Sequence, residues 1–255
     1  MRIISLILAI FMGLFSFSAL AGQNSQFSPI GYSGDGRFFS YEEYRIDEAS
    51  GDAYSKIYVI DLAEISQVVG TPIIYRANIE QHSISQIREQ ARQSADAVLQ
   101  SLEIDQPAYI AAMIGDGQPD VANERLKFAI ASAQNIKNQP TLSMGYELSL
   151  ETFTTEAAAQ CDRLVAITPF SSPMGFSLSL KNLPPESAKQ QTAIEKEIYR
   201  DEVLPRSRDC PFSYAIAAIV LPFGANDIAN SVAVIAVNVA SEQGVLRHYL
   251  AIPLN

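Results

Sequence analysis

Four acids near the start of the chain, Asp35, Glu42, Glu43 and Asp61, have the chemistry of a glycoside hydrolase, in which two carboxylates flank the scissile bond. Glu42 and Glu43 are adjacent, so on a strand they point to opposite faces and cannot pair with each other. Either would need Asp35 or Asp61 delivered by the fold, which spacing alone does not fix. The only histidines are His82 and His248, and zinc needs three or four clustered ligands, so no metal site is expected. A serine nucleophile elbow would read G-x-S-x-G; the nearest stretch, Gly31-Tyr32-Ser33-Gly34-Asp35, lacks the last glycine. No lysine follows a serine by three positions, so the S-x-x-K pattern is missing as well. The oxygen-rich loops at 47–52 and 116–120 lack the alternating acid register of a calcium loop and read as turns. No catalytic residue and no cofactor is assigned.

The densest mixed-charge run of the chain is Arg200-Asp201-Glu202 to Arg206-Ser207-Arg208-Asp209-Cys210-Pro211. Planar arginine forks suit a carboxylate or sulfate in a way that lysine cannot match. Arg200, Asp201, Arg206 and Arg208 are therefore the candidate binding residues. The competing reading is a salt-bridged loop fastened by its cysteine.

The N-terminus supplies an address. One positive charge at Met1-Arg2, an apolar run from Ile3 to Leu20 and the small-x-small end Ala19-Leu20-Ala21 form a signal peptide cut after Ala21. The alternative is a retained anchor, since about eighteen mostly apolar residues just span a bilayer. The polar Gly22-Gln23-Asn24-Ser25 that follows favours cleavage, and no cysteine is placed there to carry lipid. Export makes the lone pair Cys161 and Cys210 a disulfide, because an oxidising compartment joins such thiols. Closing a loop of about fifty residues stabilises the fold by roughly 4 kcal/mol in the chain-entropy model. The whole chain carries a net charge of −10, to which the leader contributes one arginine and no acid. Phosphate backbones and anionic lipid surfaces repel such a protein on average, so nucleic acid is not an expected partner.

These residues must be held by a β-rich scaffold. The turn Ser33-Gly34-Asp35-Gly36 precedes an aromatic strand from Arg37 to Arg45, and a polar loop at 47–52 returns it to Lys56–Asp61 as a hairpin. A short run follows at Ile73–Tyr75. Further strands are expected at 126–133, 142–150, 164–168, 175–181, 213–221, 231–239 and 246–252. Glu186–Arg200 reads as a short helical excursion after Pro184-Pro185. One substantial amphipathic helix is expected at 83–102: Ser83 and Gln86 have capping-box spacing, and Ile84, Ile87, Ala91, Ala95, Val98 and Leu102 share a face. The fold class is mainly β, a β-rich α+β arrangement with an antiparallel sheet or sandwich. The expected organisation is a signal peptide at 1–21 and a single secreted domain at 22–255, with a possible sub-division near 103–140.

Gly31-Tyr32-Ser33-Gly34-Asp35-Gly36-Arg37-Phe38-Phe39-Ser40-Tyr41 resembles the opening strand pair of a blade in TolB-type β-propellers. A single copy does not close a ring. The same opening, together with Tyr58-Val59-Ile60-Asp61, Gly70-Thr71-Pro72, Met174-Gly175-Phe176 and Arg200-Asp201…Arg208-Asp209-Cys210-Pro211, resembles a family of predicted secreted bacterial proteins catalogued as a domain of unknown function. That resemblance implies export of one unit and no reaction. The expected function is a non-catalytic envelope or secreted binding module, periplasmic or released, with an unidentified envelope protein or small ligand as partner. The alternative is a carboxylate-dependent hydrolase acting on an envelope glycan.

Overall fold

Alternation along two aromatic strands sets the layout. In β2 (Phe38–Ile46), Phe39, Tyr41, Glu43 and Arg45 share one face, and Phe38, Ser40, Glu42 and Tyr44 share the other. β3 (Asp52–Asp61) pairs with it antiparallel, matching Phe39 to Ile60, Tyr41 to Tyr58, Glu43 to Lys56 and Arg45 to Tyr54. A computed structural model shows what covers each face. It describes residues 24–47, 50–115, 124–131, 142–155, 161, 173–184, 193–241 and 244–254.

The outer face of the hairpin carries the helix α1 (Ile84–Ser101). Its N-cap Ser83 accepts from the Gln86 backbone N–H while the Gln86 side chain accepts from the Ser83 N–H at 2.8 Å, the expected capping box. Ile87, Ala91, Ala95 and Leu99 are buried, and Ala91, Ala95 and Leu99 pack with Ile57 and Val59 of β3. Small alanines at the contact let the helix lie close to the sheet.

Around the hairpin runs a nine-stranded antiparallel sheet. It adds β1 (Gln26–Ser33), β4 (Ser66–Gln67), β5 (Ile73–Asn78), β6 (Ile104–Met113), β11 (Pro211–Pro222), β12 (Val232–Ser241) and β13 (Gly244–Pro253). The order is β13-β12-β11-β6-β1-β2-β3-β4, with β5 also on β3. Register shifts at Pro29/Gly31, Tyr32/Ser33, Ile216/Ala218 and Ile219/Val220 raise the local twist. The sheet curls until β13 faces β2 and β3. Its inner face holds a core of Tyr32, Phe39, Tyr41, Ile60, Val220, Val234 and Tyr249.

Four strands form a second sheet, in the order β10 (Glu195–Arg200), β9 (Met174–Leu183), β8 (Leu142–Thr154) and β7 (Arg125–Ala131). It packs on the outer face of β11 and β12 through Leu148, Phe176, Leu178, Ile216, Ile219, Ile235 and Val237. Each such side chain, fully buried, contributes roughly 1.5–3 kcal/mol. The expected β-rich fold with one substantial amphipathic helix at 83–102 is found among the described residues.

Two local expectations are corrected. Glu195–Arg200 is a strand on the free edge of β9, not part of a helix, because Ile198 and Tyr199 find apolar neighbours there and pairing outweighs the local polarity. Ile104–Met113, for which no strand is expected from the sequence and which contains Pro107, forms the central strand β6 between β1 and β11. Pro107 sits opposite Gly31, where a Cβ would lie 2.7 Å from the Gln106 carbonyl oxygen, so only glycine permits the approach. The predicted turn before β2 closes through a 2.8 Å bond from Gly36 N–H to Ser33 O, with Gly36 at φ +72°. Its two strands belong to the nine-stranded sheet and not to a propeller blade. The signal segment 1–21, the strand expected at 164–168 and the loop at 116–120 lie outside the described residues, as do parts of 47–52 and 186–194.

Candidate functional site

Curling brings the edge strand β13 against β2 without closing the sheet, and side chains complete the seam. Tyr41 donates its hydroxyl to Tyr249 O at 2.8 Å, and Tyr249 donates to Ser25 O at 2.8 Å. Glu43, wholly buried, takes His248 Nδ1 at 3.1 Å on one oxygen and accepts the Tyr249 N–H at 3.3 Å on the other. Both Glu43 oxygens are thus engaged. Glu42 points the opposite way, as strand geometry requires, into a bidentate Arg88 (2.9 and 2.8 Å) and the Ser55 hydroxyl at 2.8 Å.

Along this seam lies a cleft of about 580 Å³. Tyr41 and Tyr58, stacked with centroids 4.9 Å apart, lie on one side, and Tyr249, Ala251 and Ile252 on the other. Lys56, His248, Arg208, Asp209, Ser207 and Gln67 add the polar groups. Burial pulls the Lys56 ammonium below its usual range; Glu43 and Asp209 oppose that shift and Arg45 adds to it. Burial also holds the Tyr58 hydroxyl far above the usual tyrosine range, with Glu43 adding to it, so it stays protonated and able to donate.

The arginine run divides. Arg200 turns outward to Glu197 (2.7 Å) and lies over Phe153. Asp201 and Arg208 turn inward and pair at 3.1 Å, both nearly inaccessible. Asp201 also accepts from Phe176 N–H at 3.1 Å and from the Tyr199 hydroxyl at 2.7 Å, and Arg208 reaches Tyr199 and stacks over Phe176. Arg206 opens the short 3-10 turn Arg206–Arg208, and its side chain lies outside the description. Of the three candidates whose side chains are described, Arg208 lines the cleft and Arg200 and Asp201 do not, so the geometry does not gather Arg200 and Arg208 around one ligand. Cys161 and Cys210 are bonded, with Cα atoms 5.5 Å apart, and the bridge anchors this loop next to β11.

The remaining candidates hold turns. Asp61 binds Arg37 at 2.7 Å, and Asp35 accepts from Ser33 Oγ at 2.6 Å and from Arg37 N–H at 3.0 Å. His82 precedes the helix cap, away from the seam. Among the described residues, no three His, Cys, Asp or Glu side chains come together to hold a metal ion.

A family model described as "Predicted secreted protein (DUF2259)" matches residues 40–255. The chain belongs to that family. Membership carries the expected address, a secreted protein, and agrees with the resemblance drawn from the strand and Arg-Asp-Cys-Pro motifs. Among the described residues of this DUF2259 chain, no helix is long and apolar enough to cross a membrane. A comparison with curated proteins finds no match. The family match begins at Ser40, so it takes in the hairpin, the seam and the disulfide alike.

Lys56, Arg45 and the Glu43–His248 contact carry no motif, and Tyr58 stands out only as the start of the Tyr58-Val59-Ile60-Asp61 strand. The available signal was the period-2 alternation of β2 and β3, which places Tyr41, Glu43 and Arg45 beside Tyr58, Lys56 and Tyr54. What alternation lacks is the identity of the strand that closes over them.

Proposed function

We propose that this is an exported ligand-binding module, one unit over 22–255, whose ligand lies in the seam cleft. The observation that carries the reading is the cleft itself. Its volume falls within the roughly 300–1,000 Å³ usual for small-molecule sites, and it combines a tyrosine wall with a few convergent polar groups. The Arg208 loop forms one end of it, held by the Asp201 network and the disulfide. A rigid scaffold presenting polar loops suits recognition.

Binding is favoured over glycan hydrolysis by where the acids lie. Among the described residues lining the cleft, Asp209 is the only carboxylate. Glu43 lies behind the wall with both oxygens occupied, and Glu42 faces the helix. A two-carboxylate mechanism needs a second free acid across the bond. The test is a thermal-shift screen of envelope metabolites and glycan fragments against the oxidised protein and against Ser207→Trp, which places a large ring at the cleft mouth. A ligand that raises the Tm of the parent and not of Ser207→Trp supports the reading. Ligands that act equally on both overturn it.

A further inference from the structure

The inner face of the hairpin carries two cations on one aromatic ring. The Arg45 guanidinium carbon lies 4.8 Å from the Tyr54 ring centroid, and the Lys56 ammonium lies 4.6 Å from the same centroid. Arg45 Nε and Nη1 are sealed from solvent and have no hydrogen-bond acceptor. Among the described residues neither side chain makes an ion pair. Buried guanidinium donors are rarely left this way, because each forfeits its hydration without replacement.

The surrounding acids do not supply the missing acceptors. Glu43 is the nearest carboxylate on this face, yet its oxygens are committed to His248 and to the Tyr249 N–H. Asp209 faces the cleft and is close enough to influence Lys56, but lies beyond ion-pair distance from it. Arg208 is neutralised by Asp201. Lys56 alone of the two cations lines the cleft, with Arg45 behind it on the ring.

We infer that the Lys56 end of the cleft is an oxyanion subsite, in which Lys56 contacts the carboxylate or phosphate group of an acidic small ligand and the Arg45 guanidinium, two of whose nitrogens lack an acceptor, reinforces it from behind. This names the ligand class for the cleft and rests on the binding reading above. Tyr41 and Tyr58 line the cleft as an aromatic surface for the ligand body, and the Tyr58 hydroxyl stays protonated. Asp209 is the local opponent, which disfavours ligands of very high negative charge.

The experiment is calorimetric titration of the oxidised protein with benzoate and with inorganic phosphate at pH 7 and constant ionic strength. The two probes separate a carboxylate from a phosphate source. One-to-one binding of either is expected, weakened about tenfold by Lys56→Gln, which removes a charge-assisted hydrogen bond. Asp209→Asn, an exposed change, is expected to tighten binding roughly threefold by removing a repelling charge. Arg45→Met is expected to weaken binding while raising the Tm of the free protein, since it deletes two sealed donors that have no acceptor. A purely structural Arg45 gives the reverse, a lower Tm with binding unchanged, and overturns its role. No binding of either probe by the parent, or equal binding by Lys56→Gln and Asp209→Asn, overturns the subsite. If a neutral compound from the screen is still blocked by Ser207→Trp, the cleft reading survives that failure. If nothing is blocked, both readings fall.

Discussion

Arg208 and Arg45 are both drawn in among aromatic rings on strand-bordering segments, and they differ in everything that follows. Arg208 meets a carboxylate and two tyrosine hydroxyls, so its charge is balanced and its donors are used. Arg45 meets the face of Tyr54 and leaves two nitrogens without an acceptor. The Asp201–Arg208 cluster sits where the second sheet, the disulfide and β11 converge; the Arg45–Lys56 pair sits on the inner face of the hairpin, next to an unclosed seam. Satisfied polar networks hold a structure in place, and unsatisfied ones mark where a fold tolerates a cost for another reason. The contrast sets an architectural cluster against the region proposed above for recognition.

The largest expected effect tests the first half of that contrast. Asp201→Asn leaves the Arg208 guanidinium nearly inaccessible and without a counter-charge. Breaking a buried pair from one side costs about 3–5 kcal/mol. Denaturant unfolding of the oxidised protein measures it, and a loss below about 1 kcal/mol would show that Arg208 is no better balanced than Arg45. The disulfide follows. Replacing Cys161 and Cys210 together by serine removes a cross-link of sequence separation 49 and should cost about 4 kcal/mol. If it costs that much while benzoate binding persists, the two regions are separable. If binding is lost in a protein that remains folded, the loop bearing Arg208 and Asp209 belongs to the recognition half.

A smaller change probes the second region. Glu43→Gln keeps an acceptor for the Tyr249 N–H and removes the negative charge that supports Lys56, at a cost of about 1–2 kcal/mol. Its sharper readout is titration. The folded Lys56 value already lies below the ordinary lysine value, so the unfolded chain binds more protons in the window between the two. Stability therefore rises with pH through that window. Glu43 opposes the depression, so Glu43→Gln should lower the Lys56 midpoint further and widen the window. An unchanged midpoint, followed by NMR of the side-chain nitrogen, would remove Glu43 from the electrostatics of the site.

What the chain revealed in advance follows a physical division. Local signals were readable: the Ser83–Gln86 box, the helix face through Ile87, Ala91 and Ala95, and the turn closed by Gly36. The disulfide followed from the export signal, because compartment decides how two cysteines are read. The opposed faces of Glu42 and Glu43 followed from strand geometry. The missed features depend on partners distant in sequence. Arg88 lies off the apolar face of the helix, yet it reaches across to Glu42, 46 residues away. His248 meets Glu43 across 205 residues. Strand β10 exists because β9 offers it an edge, and Pro107 is tolerated in a central strand because Gly31 lies opposite. Asp201 and Arg208 were singled out as charge, while Tyr199 and Phe176, which complete their network, gave no comparable signal.

The smallest expected effects compare two tyrosine hydroxyls, one from each region. Tyr41→Phe removes a single buried bond to Tyr249 O, leaving that carbonyl without its donor at the seam, and should cost about 1 kcal/mol. Tyr214→Phe removes a matching bond to Met174 O at 2.9 Å and also an acceptor facing Arg208 at 3.5 Å. Both rings remain packed, so the difference reports polar balance and not volume. Tyr214→Phe should be the costlier of the two, because it leaves part of a buried guanidinium unmatched as well as a carbonyl. Equal losses in paired unfolding curves would mean that Arg208 rests on Asp201 and Tyr199 alone, and would narrow the satisfied network to those three side chains.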